Sequence, residues 1–364
     1  MSIRLTLLRL LERILVLPTA PFHENFVISF ICEELRALGF DFRRDSYGNI
    51  VAGCGRGEDG LAWVAHMDHP GFAITEVRGK RTEAAWFGGV ALKYFSHARV
   101  VIYDPLSGLV RTRGKVEKIW QNSQGRVDKL ALRIDGQVEE GDFGFWNLVP
   151  FRRRGDLIST KAADDLVGCA VILAALAELK RERVPGRVLG LFTRAEEQGF
   201  IGTLGSIRNG LLTPATAVVS VETSKALPGA VLGGGPAIRL GDRSSMFHNG
   251  MVLFMDHVAR EIRNIDSHFV YQRRVMDGGT CEATPFQLNS HVAGGIAIPL
   301  RNYHNQGKNG IGPEGVRLGD AVGAARLLVE MAKKMDQFDA PIKKIRQRWE
   351  AALEKYGKKL QEPE

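Results

Sequence analysis

One interruption limits what this chain can fold into. Over most of its length apolar residues at helical spacing alternate with short apolar runs of strand type, but across residues 75–155 only the strand type occurs, broken by glycines. Alternating helices and strands build an α/β sheet with helices on its faces. A small β-barrel inserted into that larger domain accounts for the interruption. The expected fold is therefore α/β: a mixed sheet flanked by helices from residues 1–74 and 156–335, an inserted small β-barrel at 75–155, and a basic C-terminal helix at 336–364.

The elements can be read in outline. Phe26, Ile28, Ile31, Leu35 and Leu38 repeat at helical spacing, and Gly39 stands where a helix C-cap belongs. Strands are expected at residues 40–43, 49–52 and 61–65, then within the insert at 98–103, 114–119, 130–134 and 145–150. Beyond the insert the order is helix 168–180, strand 187–193, a helix start at 202–209 and strand 217–221. Segments 260–265, 268–272 and 293–299 supply further elements, and 318–335 reads as a long amphipathic helix. The last helix, 342–359, is expected to pack through Ile345, Trp349 and Leu353.

Bulk properties exclude several classes. With 364 residues the chain exceeds one compact domain, and 45% hydrophobic with 25% charged residues is enough to build a core. No stretch approaches a membrane span. The opening leucine-rich run carries Arg4, Arg9, Glu12 and Arg13, which a signal peptide would not tolerate, so an amphipathic helix is expected there. The net charge of +8 is spread along the chain apart from Arg152 to Arg154 and the C-terminus, and no nucleic-acid motif accompanies it. Neither nucleic acid nor membrane is an expected partner. Cys32, Cys54, Cys169 and Cys281 have no C-x-x-C spacing, which suggests reduced thiols and a cytoplasmic location.

The chemistry lies in five short segments that put metal-ligand residue types at the ends of predicted strands: His66-Met67-Asp68, Ala163-Asp164-Asp165, Ala195-Glu196-Glu197, Val221-Glu222-Thr223 and Tyr303-His304-Asn305. Open α/β sheets build their sites at such ends. One acidic residue at a strand end is ordinarily a helix cap or a solvated charge; five segments of this kind point to a dinuclear metal centre. Two neighbouring cations repel unless a shared anionic ligand and flanking carboxylates offset their charge, and a bridging aspartate does both. Water between them is acidified, and a carboxylate outside the ligand set can take its proton. The consecutive Glu196 and Glu197 offer a candidate for each role.

In order along the chain stand H-M-D-H-P-G-F from His66, S-T-K-A-A-D-D from Ser159, F-T-R-A-E-E-Q-G from Phe192, G-G-G-P-A-I-R from Gly233, D-G-G-T from Asp277 and P-L-R-N-Y-H-N from Pro299. This series resembles the tetrahedral (glutamyl or deblocking) aminopeptidase family of co-catalytic dinuclear metallopeptidases. The resemblance implies a zinc-exopeptidase-like fold with a barrel insert that supports oligomers. It also implies two divalent ions per chain (zinc, cobalt or manganese), with His66, Asp164 and Glu222 holding one and Asp164, Glu197 and His304 the other. Glu196 matches the general base, Asp68 would orient the His66 ring, and Asp165 would fix local backbone geometry. The implied partners are peptide substrates and further copies of the chain, from dimer to dodecamer.

The series also departs from the family. Glu222 stands where aspartate is usual, His69 where an acidic residue commonly follows H-M-D, and Leu166 where a basic residue often follows the paired aspartates. After Gly279-Thr280, where relatives place aspartate near the substrate, this chain has Cys281 and Glu282, so residues 279–282 are the candidate substrate contacts. Cys281 itself reads as a small buried filler, and His97, His248, His257, His268 and His291 as satisfied or solvent-facing. Two further activities fit the same residues: a dinuclear amidohydrolase acting on small amides, and an oligomeric scaffold whose metal centre has degenerated.

Overall fold

Continuous apolar runs, buried on both sides, make the strands of the main sheet. The computed structural model describes residues 2–54, 60–78 and 81–361. Helices α1 (Ile3–Ile14) and α2 (Asn25–Ala37) lead into β1 (Phe42–Arg44), β2 (Ile50–Cys54) and β3 (Leu61–His66). Six strands follow without a helix longer than one turn: β4 (Gly71–Arg78), β5 (Arg81–Phe87), β6 (Arg99–Tyr103), β7 (Val110–Gln121), β8 (Val127–Ile134) and β9 (Phe143–Trp146). The remainder comprises β10 (Phe151–Arg154), β11 (Leu157–Thr160), α3 (Leu166–Glu182), β12 (Val188–Thr193), α4 (Ile201–Arg208), β13 (Ala217–Lys225), β14 (Ala237–Asp242), α5 (Asn249–Ile265), β15 (Gln272–Met276), α6 (Ala283–Leu288), β16 (Ala293–Leu300), the short pair β17 (Gln306–Gly307) and β18 (Gly310–Ile311), β19 (Glu314–Arg317), α7 (Leu318–Lys333) and α8 (Ala340–Tyr356).

The main sheet has the order β1-β2-β12-β3-β13-β16-β14-β15. It is mixed: β3 runs parallel to both β12 and β13, and β13 parallel to β16, while β1, β2 and β14 introduce antiparallel pairs. Every residue of β3 and β16 is buried, as expected for strands covered on both faces. Helix α3 is the central cover, packing against β3, β13, α1 and α7. Asp165 starts it by accepting the Gly168 N–H. Gly39, at φ +66°, supplies the left-handed residue that ends α2, with its N–H donating to Arg36.

Strands β4 to β9 close a barrel in the order β4-β5-β8-β7-β6-β9, sealed where Phe72 pairs with Gly144. Trp86, Phe95 and Trp146 fill it with ring centroids 4.8 to 5.3 Å apart. A second apolar cluster, formed by Val101, Tyr103, Phe143 and Phe145 with Ala20 and Phe26, seats the barrel against the main domain. The first barrel strand begins at Gly71, ahead of position 75, where the glycine-rich texture becomes visible.

Three sequence expectations need correction. The element read at 260–265 is the end of helix α5, which starts at Asn249 because the His248 side chain caps it by accepting the Met251 N–H, and histidine is a weak start signal. The element expected at 268–272 lies later, as the strand Gln272–Met276 beside β14, which the periodicity had not revealed. The last helix is not packed through Trp349 and Leu353, which are 63% and 68% exposed. Only its first turn, near Ile342 and Ile345, is half-buried, and a straight helix rising 1.5 Å per residue then runs past the body. Cys32, Cys169 and Cys281 are free and buried, while the Cys54 side chain lies outside the described part. No described helix is long and apolar enough to cross a membrane.

Candidate metal centre

The parallel register that pairs Thr193 with His66 brings the C-terminal ends of β12 and β3 to one level, and β13 joins that edge. His66 ends β3, Glu196 and Glu197 form a short turn after β12, Glu222 lies near the end of β13, and His304 follows β16. Asp164 enters from the link between β11 and α3, with a cis peptide to Asp165.

The His66 Nδ1 faces the Asp68 carbonyl at 3.2 Å and its carboxylate at 3.4 Å. That leaves Nε2 toward Glu222 (3.2 Å), Asp164 Oδ1 (3.5 Å) and Glu196 (3.9 Å). The His304 Nδ1 donates to the Gly89 carbonyl at 2.6 Å, which leaves Nε2 2.8 Å from Glu197 Oε1 and 3.5 Å from Asp164 Oδ2. Asp164 thus offers one oxygen to each imidazole. Three triads bring ligand atoms within 4.8 Å of one another: His66, Asp164 and Glu222; Asp164, Glu197 and His304; and His66, Glu196 and Glu197.

The donor set fits cations. Glu197 Oε1, Glu222 Oε2 and His304 Nε2 are buried without any hydrogen bond, although Glu197 and His304 are close enough for one. Such atoms are costly to bury unless something positive meets them. The electrostatics agree. Burial, reinforced by neighbouring carboxylates, pushes Glu196 well above the usual carboxylate range and Glu222 up to about 7. Burial would depress both imidazoles, yet the carboxylates around them, led by Glu196 at His66 and Glu197 at His304, hold them well above their ordinary value. Asp164 is held below the usual range despite burial, because both imidazoles face it.

A shell of carboxylates fixes the backbone that carries these side chains. Asp68 lies just past the strand end and accepts the Glu196 and Glu197 N–H groups at 3.0 and 3.1 Å, besides touching the His66 ring. Asp165 accepts from the backbone of Gly168 and Thr223. Glu24 and Glu314, absent from the sequence reading, take the amides of Ala195 and of the segments holding Asp164 and His304. A glutamate near a helix start, or one following Gly-Pro, carries no local sign of such a task.

A cavity opens over the cluster, walled on one side by Gly278 to Thr280 and Tyr303 and on the other by barrel residues 88–92 and 125–127. A small recess continues past Glu222 and Tyr303 to Arg239, Met276 and Leu227. Of the candidate substrate contacts, Gly279 and Thr280 line both spaces, but Cys281 and Glu282 do not. Both are fully buried, and Glu282 is engaged by the hydroxyls of Thr193 and Thr203. Burial pushes the Cys281 thiol up to about 12, which fits a filler. The histidines read as satisfied or solvent-facing stay apart from the cluster: His291 bonds the Thr216 carbonyl, His248 caps α5, and His268 is 97% exposed.

The family model for M42 glutamyl aminopeptidases matches residues 48–308. A curated relative from Acetivibrio thermocellus is 26% identical over 325 residues, covering 85% of this chain and 93% of its own length. Among solved structures, an aminopeptidase from the archaeon Desulfurococcus kamchatkensis superposes with a TM-score of 0.76 at 24% identity, over 92% of this chain and 96% of that one. The TET1 peptidase of Pyrococcus horikoshii, described as assembling into a tetrahedron or a large octahedral shell, gives a TM-score of 0.74 at 20% identity, over 90% and 99%.

Proposed function

Because the chain belongs to the M42 glutamyl aminopeptidase family, we infer that it is an aminopeptidase whose active site is the cluster of His66, Asp164, Glu196, Glu197, Glu222 and His304. The observation that carries this reading is the convergence of buried, unpartnered ligand atoms from distant segments. His66, Asp164 and Glu222 would hold one divalent ion and Asp164, Glu197 and His304 a second, with Asp164 shared. Zinc, cobalt and manganese all suit such nitrogen and oxygen donors. When bound, the ions polarise the scissile carbonyl and acidify water.

Glu196 belongs to neither of those ligand sets and faces the cavity. It takes the proton of the attacking water and delivers it to the amine of the departing peptide. Asp68 keeps the His66 ring and the 196–197 turn in place for both tasks. The recess ending at Arg239 receives the first side chain, and the peptide leaves along the wider cavity between barrel and main domain. By analogy with the TET1 peptidase, the working form is a homo-oligomer. The buried free cysteines favour the cytoplasm.

The test is Glu196→Gln. Metal content should match the wild type while kcat on free aminoacyl substrates falls by about a hundredfold or more. A variant that turns over at the wild-type rate removes Glu196 from the role. Wild-type protein that cleaves only N-blocked amides replaces the aminopeptidase by an amidohydrolase, and protein that takes up no metal and shows no turnover leaves a scaffold.

A further inference from the structure

Glu314 begins β19, opposite Thr160 of β11, and is fully buried. One carboxylate oxygen accepts the N–H of Ala163 at 2.6 Å and of Asp164 at 3.1 Å, and the other accepts the N–H of His304 at 2.8 Å. These are the two segments that meet at the second triad, 140 positions apart in the chain. His69 pins the same residue from its other side: its Nδ1 donates to the Asp164 carbonyl at 2.6 Å. Asn305, facing His69 at 3.1 Å, donates to the Lys161 carbonyl at 2.9 Å and ties the segments once more.

The His304 side of this arrangement is strained. Asn302, His304 and Asn305 all adopt left-handed backbone, with φ of +56°, +53° and +62°. Non-glycine residues hold such conformations only where their surroundings over-determine them. Three N–H donors on one carboxylate, one of them from His304 itself, supply that constraint.

We propose that Glu314 is a positioning residue which sets the separation between Asp164 and His304 and so the shape of the cation site they share with Glu197. It touches neither substrate nor ion, and it acts through the backbone of two ligands. This inference rests on the metal reading above. Glutamine at this position would turn an N–H₂ group toward one of the backbone donors, leaving one segment unclamped without changing side-chain size.

The experiment is cobalt titration of wild type, Glu314→Gln and Glu314→Asp, followed by the visible absorption of the bound ion and by binding stoichiometry, alongside kcat and KM. Glu314→Gln should weaken the second cobalt site about 10- to 100-fold and alter its absorption band. It should lower kcat with little change in KM. Glu314→Asp keeps the charge but is one methylene too short to reach both segments, so it should also lose affinity, and it serves if the glutamine variant does not fold. Cobalt affinity and spectrum equal to wild type in either folded variant, whatever happens to thermal stability, would make Glu314 merely structural and overturn the proposal. Wild-type protein that binds no cobalt would instead overturn the metal reading beneath it.

Discussion

Lys161 offers a quantitative test of how the barrel is seated. Its side chain is 1% exposed, and its ammonium donates to the Leu17 carbonyl while lying 4.5 Å from the Phe145 ring centroid and 5.6 Å from that of Tyr103. All three partners are uncharged, and burial lowers the group from the ordinary 10.5 to about 7. Above pH 10.5 the folded and unfolded chains are both neutral here, and the lysine costs nothing in charge. As pH falls toward 7 the unfolded chain binds a proton that the folded chain refuses, so stability drops by about 1.4 kcal/mol per pH unit. Below pH 7 the cost is constant, at about 5 kcal/mol for 3.5 units.

Lys161→Met removes the titration while keeping length and volume. Denaturant unfolding of chelator-treated wild type and variant, followed by tryptophan fluorescence between pH 6 and 10, isolates the effect as a difference. The loss of the Leu17 hydrogen bond shifts that difference by a constant, so only its slope is diagnostic. The wild type should gain about 4 kcal/mol on the variant between pH 7 and 10 and nothing below pH 7. A difference that stays flat over the whole range would show that Lys161 remains charged among the rings and would refute the reasoning.

Three further substitutions probe the recess and the glycine loop. Arg239 is 2% exposed, and the one described hydrogen bond of its guanidinium goes to the Ser224 hydroxyl. Arg239→Met should therefore lower kcat/KM for N-terminal glutamyl substrates about 10- to 100-fold more than for leucyl ones, the worth of one charge-assisted hydrogen bond; an equal loss on both would remove Arg239 from side-chain selection. Gly233 and Gly235 share φ values near +80° (+81° and +82°), but a Cβ on Gly235 would lie 1.8 Å from the Val270 carbonyl, whereas Gly233 faces open space. Denaturant midpoints should show Gly235→Ala costing about 2 kcal/mol or more and Gly233→Ala about 1, and equal costs would contradict the packing.

The fold class was legible because its signals are local. The apolar runs of β3 and β13 and the glycine-broken insert each declare their geometry within a few residues. The residues that converge at the candidate site were legible because acids and imidazoles at strand ends have few other uses in combination. What supports them was not. Gly89 orients His304 through a main-chain carbonyl, which no side chain announces, and Glu314 works by accepting amides brought together only by the finished sheet. The exposure of Trp349 shows the opposite failure: an amphipathic stripe states that a helix has an apolar face and says nothing of whether the chain covers it.

The placement of the insert explains why barrel and centre depend on each other. The barrel leaves the main domain at Gly71, five residues after His66, and the chain rejoins the sheet region through β11, which ends four residues before Asp164. Two segments of the candidate site therefore flank the insertion and inherit any tilt of the barrel. The barrel also reaches back: Gly89 holds the His304 ring, the Ala91 N–H donates to Gln306, and the Tyr94 hydroxyl donates to the Gly307 carbonyl. His304 is thus fixed from two directions, by Glu314 from the sheet side and by residues 89–94 from the barrel side. A segment with three residues in left-handed backbone has little conformational preference of its own to keep it there. The contact across the domain seam is therefore part of what gives His304 its orientation, and the wall of the cavity over the cluster cannot shift without moving that side chain.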